Sequence, residues 1–438
     1  MNSSTIVVLA HIINPQSDKK CDFIKNGALL LKKNRTKKNY FIQEIGPQKK
    51  VLAKVIDECQ VIDYSDHVII PSFFDMHFHW VQDDVRQMPK ADLLHWLENY
   101  TFPAETKFAN KAYTKKKAKV FFKRLVQTGT LGGACYSSIH PHATEEAFEH
   151  AVGDFVIGNV LMTMNSPKSL TQTKKEALDS VKFLAKKYKQ NYALTPRFAI
   201  ATDPQTMLAT GAIAKKNKSF IQSHLSETQG EISFVTNLYK ELEGFEKIKS
   251  YTEIYKKVGL LTPKTIMGHG IHLSVEELQL LKGTQTAIAH CPTSNAPIRQ
   301  KGLGSGLFNF KKIERYGLRW ALGSDIGGGP FLSMFDVMRS FVEQNKKAGV
   351  SGANYKKALY RATLAGAEIL QKDKKLGNLN PLKEANFLVL PKINSQLKMN
   401  PESILEFYVK KGQKNRAKFD DLVEKVFYQG KLIYNKRA

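Results

Sequence analysis

The stretch IIPSFFDMHFH, residues 69–79, is where the reading of the fold turns. Before it the apolar segments are short and separated by turn formers; from Ile69 onward short buried strands alternate with amphipathic helices. Strand-like runs end near Met76, Cys135, Met164, Arg197, His224, His269, His290 and Asp325, with helical text between them. Parallel βα units are the architecture that buries such runs on both faces. Their number predicts an α/β fold, a closed (β/α)8 barrel of the TIM type.

Working outward, Thr5 to Ile13, Ala28 to Lys32, Tyr40 to Ile45, Val51 to Ala53 and Val61 to Tyr64 read as strands. After a helical stretch from Tyr355 to Leu370, strand-like text returns at Ala385 to Leu390 and at Lys425 to Tyr434. The expectation is a small β-sandwich domain assembled from residues 1–68 and 381–438, with the barrel, 69–380, inserted between its halves.

Of 438 residues 42% are hydrophobic and 24% charged, which excludes a disordered, collagenous or repeat-dominated chain. Lys and Arg outnumber Asp and Glu by 66 to 40, a net charge of +26. The basic residues are dispersed in pairs such as Lys174 with Lys175, Lys186 with Lys187 and Lys215 with Lys216, the pattern of solvated helix faces. With no aromatic-rich RNA motif, helix-turn-helix or basic tail, nucleic acid is not expected as a partner. No run approaches the roughly 18 apolar residues of a membrane span, and the start MNSSTIVVLAHIINPQ lacks a basic leader, so neither membrane nor export is expected. Cys21, Cys59, Cys135 and Cys291 are scattered without C-x-x-C spacing, which fits a reducing cytoplasm.

A barrel enzyme carries its working groups at the C-terminal ends of its strands. Five of the twelve histidines, His77, His79, His224, His269 and His290, fall at such ends, and Asp325 closes the last strand. In an extended strand residues i and i+2 point the same way, so His77 and His79 can face one cation. Alone that spacing says little. With His224 and Asp325 it supplies the nitrogen and oxygen donors that zinc accepts, with a position left for water. Bound zinc brings the pKa of water to about 7, which points to hydrolysis.

Glu227, in HisLeuSerGlu, can carry protons between water and substrate; a bland alternative has Ser226 capping a helix with Glu227 in its first turn. His269, between glycines, could be a ligand or could hydrogen-bond the attacking water and a developing oxyanion, the role preferred here. Arg197 and Phe198 offer a cationic fork and a flat apolar face, and so large a buried charge must meet a substrate oxygen or an internal carboxylate. The Gln82 amide, donor and acceptor at once, suits the edge of a heterocycle, though spacing alone fits a surface Gln equally. Gly302 to Gly306 and Gly327 to Gly329 lack the strand–turn–helix setting of a phosphate loop and read as site loops. Cys291 reads as a packed thiol, and His272, His140 and His142 as loop or surface residues.

Together the stretches 71–79 (PSFFDMHFH), 96–105 (WLENYTFPAE), 195–198 (TPRF), 221–227 (IQSHLSE), 290–295 (HCPTSN) and 323–329 (GSDIGGG) resemble the amidohydrolase superfamily, and the second and third resemble its guanine-deaminating branch. The resemblance implies that His77, His79, His224 and Asp325 bind one zinc, that Glu227 moves protons to the purine ring, and that His269 orients the attacking water. It implies that Gln82, Arg197 and Phe198 hold guanine, that water replaces the exocyclic amine to leave xanthine and ammonia with Asp325 taking a proton from the water, and that the enzyme is a homodimer. Binuclear members use a lysine at the fourth strand; TPRF offers none, so one metal is implied. The alternative within the same chemistry is another aminated heterocycle, such as 8-oxoguanine, a pterin or a triazine. Three departures stand out: Ser72 where the family usually has Gly, LeuLysGluAlaAsn at 382–386, and a longer 296–303 loop carrying Arg299 and Lys301.

Overall fold

The computed structural model describes residues 4–34, 36, 39–55, 58–90, 92–296, 303–393, 397–414 and 416–436. The expected Arg299 and Lys301 loop lies outside them. The chain divides into two compact units, residues 1–75, 124–132 and 331–438 in one and 76–123 and 133–330 in the other.

The first unit opens with β1 (Thr5–Pro15), β2 (Cys21–Lys33), β3 (Tyr40–Pro47) and β4 (Gln60–Pro71). Every residue of β1 is buried, because both of its faces are covered: Ile6, Val8, Ala10 and Ile12 enter one apolar cluster, and Val7 and Leu9 another with Val51. This explains why β1 lacks the alternation of a one-sided strand. Val51 belongs to a short helix, Gln48–Leu52, so the strand expected at Val51 to Ala53 is corrected: burying one valine against β1 and β2 needs a single turn, which that helix supplies.

The barrel strands are β5 (Phe73–His79), β6 (Thr130–Ser137), β7 (Asp154–Leu161), β8 (Ala193–Pro196), β9 (Phe220–Leu225), β10 (Thr265–His269), β11 (Ala287–His290) and β12 (Trp320–Leu322). They form one eight-stranded sheet in that order, with parallel pairing from β7 through to β12. Just beyond β12 the rim is drawn to β5: the Asp325 amide donates to the His77 carbonyl at 2.7 Å and the His79 amide to the Ile326 carbonyl at 2.9 Å. This is the expected TIM-type barrel.

The C-terminal strands β13 (Phe387–Leu390), β14 (Lys425–Tyr428) and β15 (Lys431–Asn435) join the first four in a seven-stranded sheet ordered β15-β14-β13-β4-β1-β2-β3. A helix absent from the sequence reading, Pro401–Lys414, precedes β14; it buries Ile404, Leu405, Tyr408 and Val409, and Asn400 caps it by accepting from the Ser403 amide at 3.0 Å. Among the described residues no helix is long and apolar enough to cross a membrane.

Candidate active site

The barrel brings the widely separated strand-end groups to one place. One ring nitrogen each from His77, His79 and His224 lies within 4.8 Å of the others. His79 Nε2 and His224 Nε2 are 3.1 Å apart, and Asp325 Oδ1 lies 3.4 Å from His77 Nε2 and 3.7 Å from His79 Nε2. The His77, His79 and Asp325 side chains are buried and that of His224 is half-buried. Tyr136 forms a floor beneath the imidazoles, its ring 4.6 Å from those of His77 and His79 and 5.0 Å from that of His224, anchored by its hydroxyl on the Ser223 carbonyl.

Protonation in this cluster follows from burial. Desolvation, reinforced by neighbouring imidazoles, drives His79 and His224 well below the usual histidine range and lowers His77. All three are therefore neutral at pH 7, the state that ligates metal. The His224 Nδ1–H donates to the Arg197 carbonyl at 2.6 Å, which fixes that tautomer and leaves the Nε2 lone pair facing His79. Burial pushes Asp325 upward, but the His77 and His269 rings beside it outweigh that effect and hold the carboxyl below its ordinary range. Three neutral imidazoles and an ionised carboxylate at these spacings fit a first-row divalent ion such as zinc. Cys291 joins a second triplet with His77 and Asp325.

Glycines make this convergence possible. A Cβ at Gly268 would lie 2.5 Å from His77 Cε1, and one at Gly323 would lie 2.8 Å from His77 Cβ. The His77 ring, wholly buried on Tyr136, has nowhere to retreat. Gly268→Ala is expected to lower bound metal several-fold and to destabilise the fold by about 1–3 kcal/mol, as overpacking does; metal analysis and thermal unfolding check it, and a fully loaded variant would show that the ring yields. Gly327 and Gly328 serve the same end, since a Cβ would lie 2.5 Å from Gln82 Oε1 at the first and 2.6 Å from Asp325 Oδ2 at the second. Close approach, not phosphate binding, accounts for this glycine run.

Glu227 stands clear of the helix that the bland reading gave it. Thr228 caps that helix, Gln229–Lys240, in a capping box with Glu231, and Ser226 takes a left-handed backbone at φ +50°. Glu231 Oε2 also accepts from the Glu227 amide at 2.7 Å, so the cap holds the residue before the helix. Burial, then the charges of Asp325 and Glu231, raise the Glu227 carboxyl well above its ordinary range. The site thus biases this carboxyl toward its protonated form.

Asn295, like Tyr136 and Glu105, escaped the sequence reading. Asn295, wholly buried, donates from Nδ2 to Glu227 Oε1 at 2.8 Å, and its Oδ1 lies 3.3 Å from His269 Nδ1. An amide that gives its nitrogen to a carboxyl must show its oxygen to the imidazole, so His269 carries its proton on Nδ1 and turns a lone pair at Nε2 toward Glu227 Oε2, 3.4 Å away. The signal was the HCPTSN stretch, but a 68-residue separation in sequence hid the partner. His269 and Asp325 both have left-handed backbones, φ +72° and +50°, as strained strand ends at functional sites often do.

Arg197 meets an internal carboxylate, Glu105, at 2.6 Å, and Gln82 donates to the other oxygen of that carboxylate at 2.8 Å. Gln82, Arg197 and Phe198 line one cavity with His79, His224, Glu227, His269 and Asp325, and Leu93, Trp96, Leu97 and Leu303 supply its apolar wall. Its free volume of about 30 Å³ admits water. His290 stands apart, stacked on Phe308 at 4.2 Å, and His272 is spent on the Ser305 carbonyl at 2.6 Å. His142 bonds the Phe108 carbonyl at 2.8 Å beside His140, away from the cavity wall.

Comparison with known proteins follows the same outline. The chain is similar to the guanine deaminase of Escherichia coli (strain K12), with 31% identity over 376 residues that cover 84% of this chain and 82% of that protein. It is similar to the guanine deaminase of Dictyostelium discoideum, 33% identical over 333 residues, 73% of this chain and 72% of the other. Among solved structures it resembles E. coli guanine deaminase, with a TM-score of 0.86, 26% identity and complete coverage of both chains. It also resembles a guanine deaminase from C. acetobutylicum with bound guanine in the active site, with a TM-score of 0.84, 28% identity, and 98% and 100% coverage. The model of the amidohydrolase family matches residues 68–433. A match running from the end of β4 through the whole barrel and on into β15 leaves one conclusion: the chain belongs to the amidohydrolase family.

Proposed function

We propose that the chain is a zinc-dependent guanine aminohydrolase, converting guanine and water to xanthine and ammonia. The observation that carries this is a buried Glu227, its carboxyl biased toward the protonated form, on the wall of the same cavity as His79, His224, Asp325, Gln82 and Arg197, with His77 beside them. Similarity to guanine deaminases over most of the chain supports it. So does the guanine held in the active site of a related structure.

In this reading His77, His79, His224 and Asp325 hold one zinc per chain. The ion, when bound, brings the pKa of a water to about 7. Gln82, Arg197 and Phe198 hold the purine with its amine-bearing carbon toward the histidines. Asp325, ionised, accepts a proton from the attacking water. His269 accepts a hydrogen bond from that water at Nε2 and aims its oxygen; with its Nδ1 proton committed to Asn295, it can stabilise an oxyanion only after gaining a second proton. Glu227 gives its proton to the ring nitrogen next to the reacting carbon, takes up the hydroxyl proton of the adduct and passes it to the departing amine, so that nitrogen leaves as ammonia and the water oxygen stays on the ring; the proton held by Asp325 then restores Glu227. Residues 69–380 form the catalytic barrel, and 1–68 with 381–438 the small β domain, whose shared seven-stranded sheet supports that division. A homodimer working in the cytoplasm completes the reading.

The test is ammonia release by purified, metal-analysed protein from guanine, beside 8-oxoguanine, adenine, cytosine, a pterin and an aminotriazine. Turnover of guanine with about one zinc per chain is the expected result. Turnover of another panel member alone would keep the chemistry and overturn the substrate.

A further inference from the structure

Glu105 ends the stretch TyrThrPheProAlaGlu, is 1% exposed, and does not line the cavity. It stands behind two residues that do. Its Oε1 accepts from Gln82 Nε2 at 2.8 Å and its Oε2 from Arg197 Nη1 at 2.6 Å. Phe102, three residues earlier on the same short helix, Phe102–Thr106, places its ring 5.3 Å from the Arg197 guanidinium. Residues three apart share a helix face, so a single turn supplies both the carboxylate and the ring that fix the arginine.

We propose that Glu105 is a specificity-determining positioning residue: it sets the hydrogen-bonding polarity of the pocket and thereby selects a heterocycle edge that carries a ring N–H beside a carbonyl oxygen. The inference deepens the guanine reading and rests on it for the identity of the substrate. An amide can show either its oxygen or its NH2 to a ligand, so Gln82 alone specifies nothing. A carboxylate paired with arginine offers acceptors only. Gln82 must therefore turn its NH2 to Glu105, which leaves Oε1 as its acceptor for a ligand. Gly327 keeps the space beside that oxygen clear, since a Cβ there would lie 2.5 Å from it. Arg197, with five donors and no acceptor, can offer the cavity only donors. The wall thus shows an acceptor from Gln82 and donors from Arg197. Guanine matches with its ring N–H and its carbonyl oxygen. 2-Aminopurine, which has the same amine but neither of those groups, leaves both pocket residues unpaired, and sites of that kind reject such analogues strongly.

Glu105→Gln inverts the arrangement. The introduced amide must give its oxygen to Arg197, so its NH2 faces Gln82, which then turns its own NH2 toward the cavity. Adding Gln82→Glu restores an acceptor there while keeping the charge beside Arg197. Steady-state kinetics with guanine and 2-aminopurine, with metal content measured alongside, are the test. The wild type is expected to prefer guanine by about 1,000-fold or more in kcat/KM. Glu105→Gln should shrink that preference at least about tenfold, mainly through a higher KM for guanine, as expected when one buried hydrogen bond is reversed. The double variant should regain most of it. Unchanged discrimination in Glu105→Gln, a loss confined to kcat, or a double variant no better than the single would each overturn the proposal. Calorimetric binding of hypoxanthine against unsubstituted purine, neither of which carries an amine, separates this result from the function itself. If the wild type releases no ammonia from guanine the functional reading falls, while the hypoxanthine-to-purine affinity ratio in the same variants still decides the role of Glu105.

Discussion

Replacing Asp325 with alanine is expected to strip most of the metal from the protein and to lower turnover by well over about 100-fold, since even outer-shell partners of metal ligands are worth 10–100-fold. Among the described residues Asp325 is the ionised oxygen donor placed against the imidazole set, 3.4 Å from His77 Nε2 and 3.7 Å from His79 Nε2. Without it three neutral rings must hold a dication in a buried space, at the full cost of desolvating the charge. Because Asp325 sits at φ +50°, alanine also strains the backbone there. Asp325→Asn is the companion variant: asparagine tolerates that conformation, so its metal loss reports the charge alone. Metal analysis of both proteins is the measurement, and normal zinc in either would remove Asp325 from the ligand set.

Replacing Glu227 with glutamine should have the opposite profile, near-normal metal with turnover lowered by roughly 100-fold or more, the scale of a lost proton-transfer group. The substitution is nearly silent structurally. The glutamine oxygen can still accept from Asn295, which donates to Oε1 at 2.8 Å, and only the capacity to give and regain a proton is lost. A stability corollary follows from the raised carboxyl. A group whose folded pKa lies above its unfolded value contributes stability at low pH that disappears as pH rises above the unfolded value, so at pH 7 Glu227 is a burden on the metal-free fold. Metal-free Glu227→Gln should unfold at the same temperature or higher, the usual trade between a strained site and stability. Wild-type turnover in this variant would place the proton transfer elsewhere.

Parts of this site could be read from local text because their physics is local. Histidines at i and i+2 must share a strand face, so the facing of His77 and His79 follows from spacing. The strand ends at His269 and His290 match the expected positions, while β12 stops at Leu322, three residues before the expected Asp325, which instead forms the left-handed corner beyond the strand. The turn at Val51 and the helix Pro401–Lys414 went unread for different reasons. The first is too short to show a period, whereas the second carries Asn400 and Pro401 as a start signal and buried residues at helical spacing.

By itself the sequence determined the alternation of strand and helix, the donor types at the strand ends and the likeness to amidohydrolases, since periodicity and residue chemistry are properties of short stretches. Only the tertiary structure decided who faces whom. Arg197 finds Glu105 across 92 residues, Asn295 joins Glu227 to His269 across 68 and 26, and Thr228, not Ser226, caps the helix that frees Glu227. Those pairings exist because the barrel carries distant strand ends to one rim, where burial makes an unpaired polar group too costly to leave.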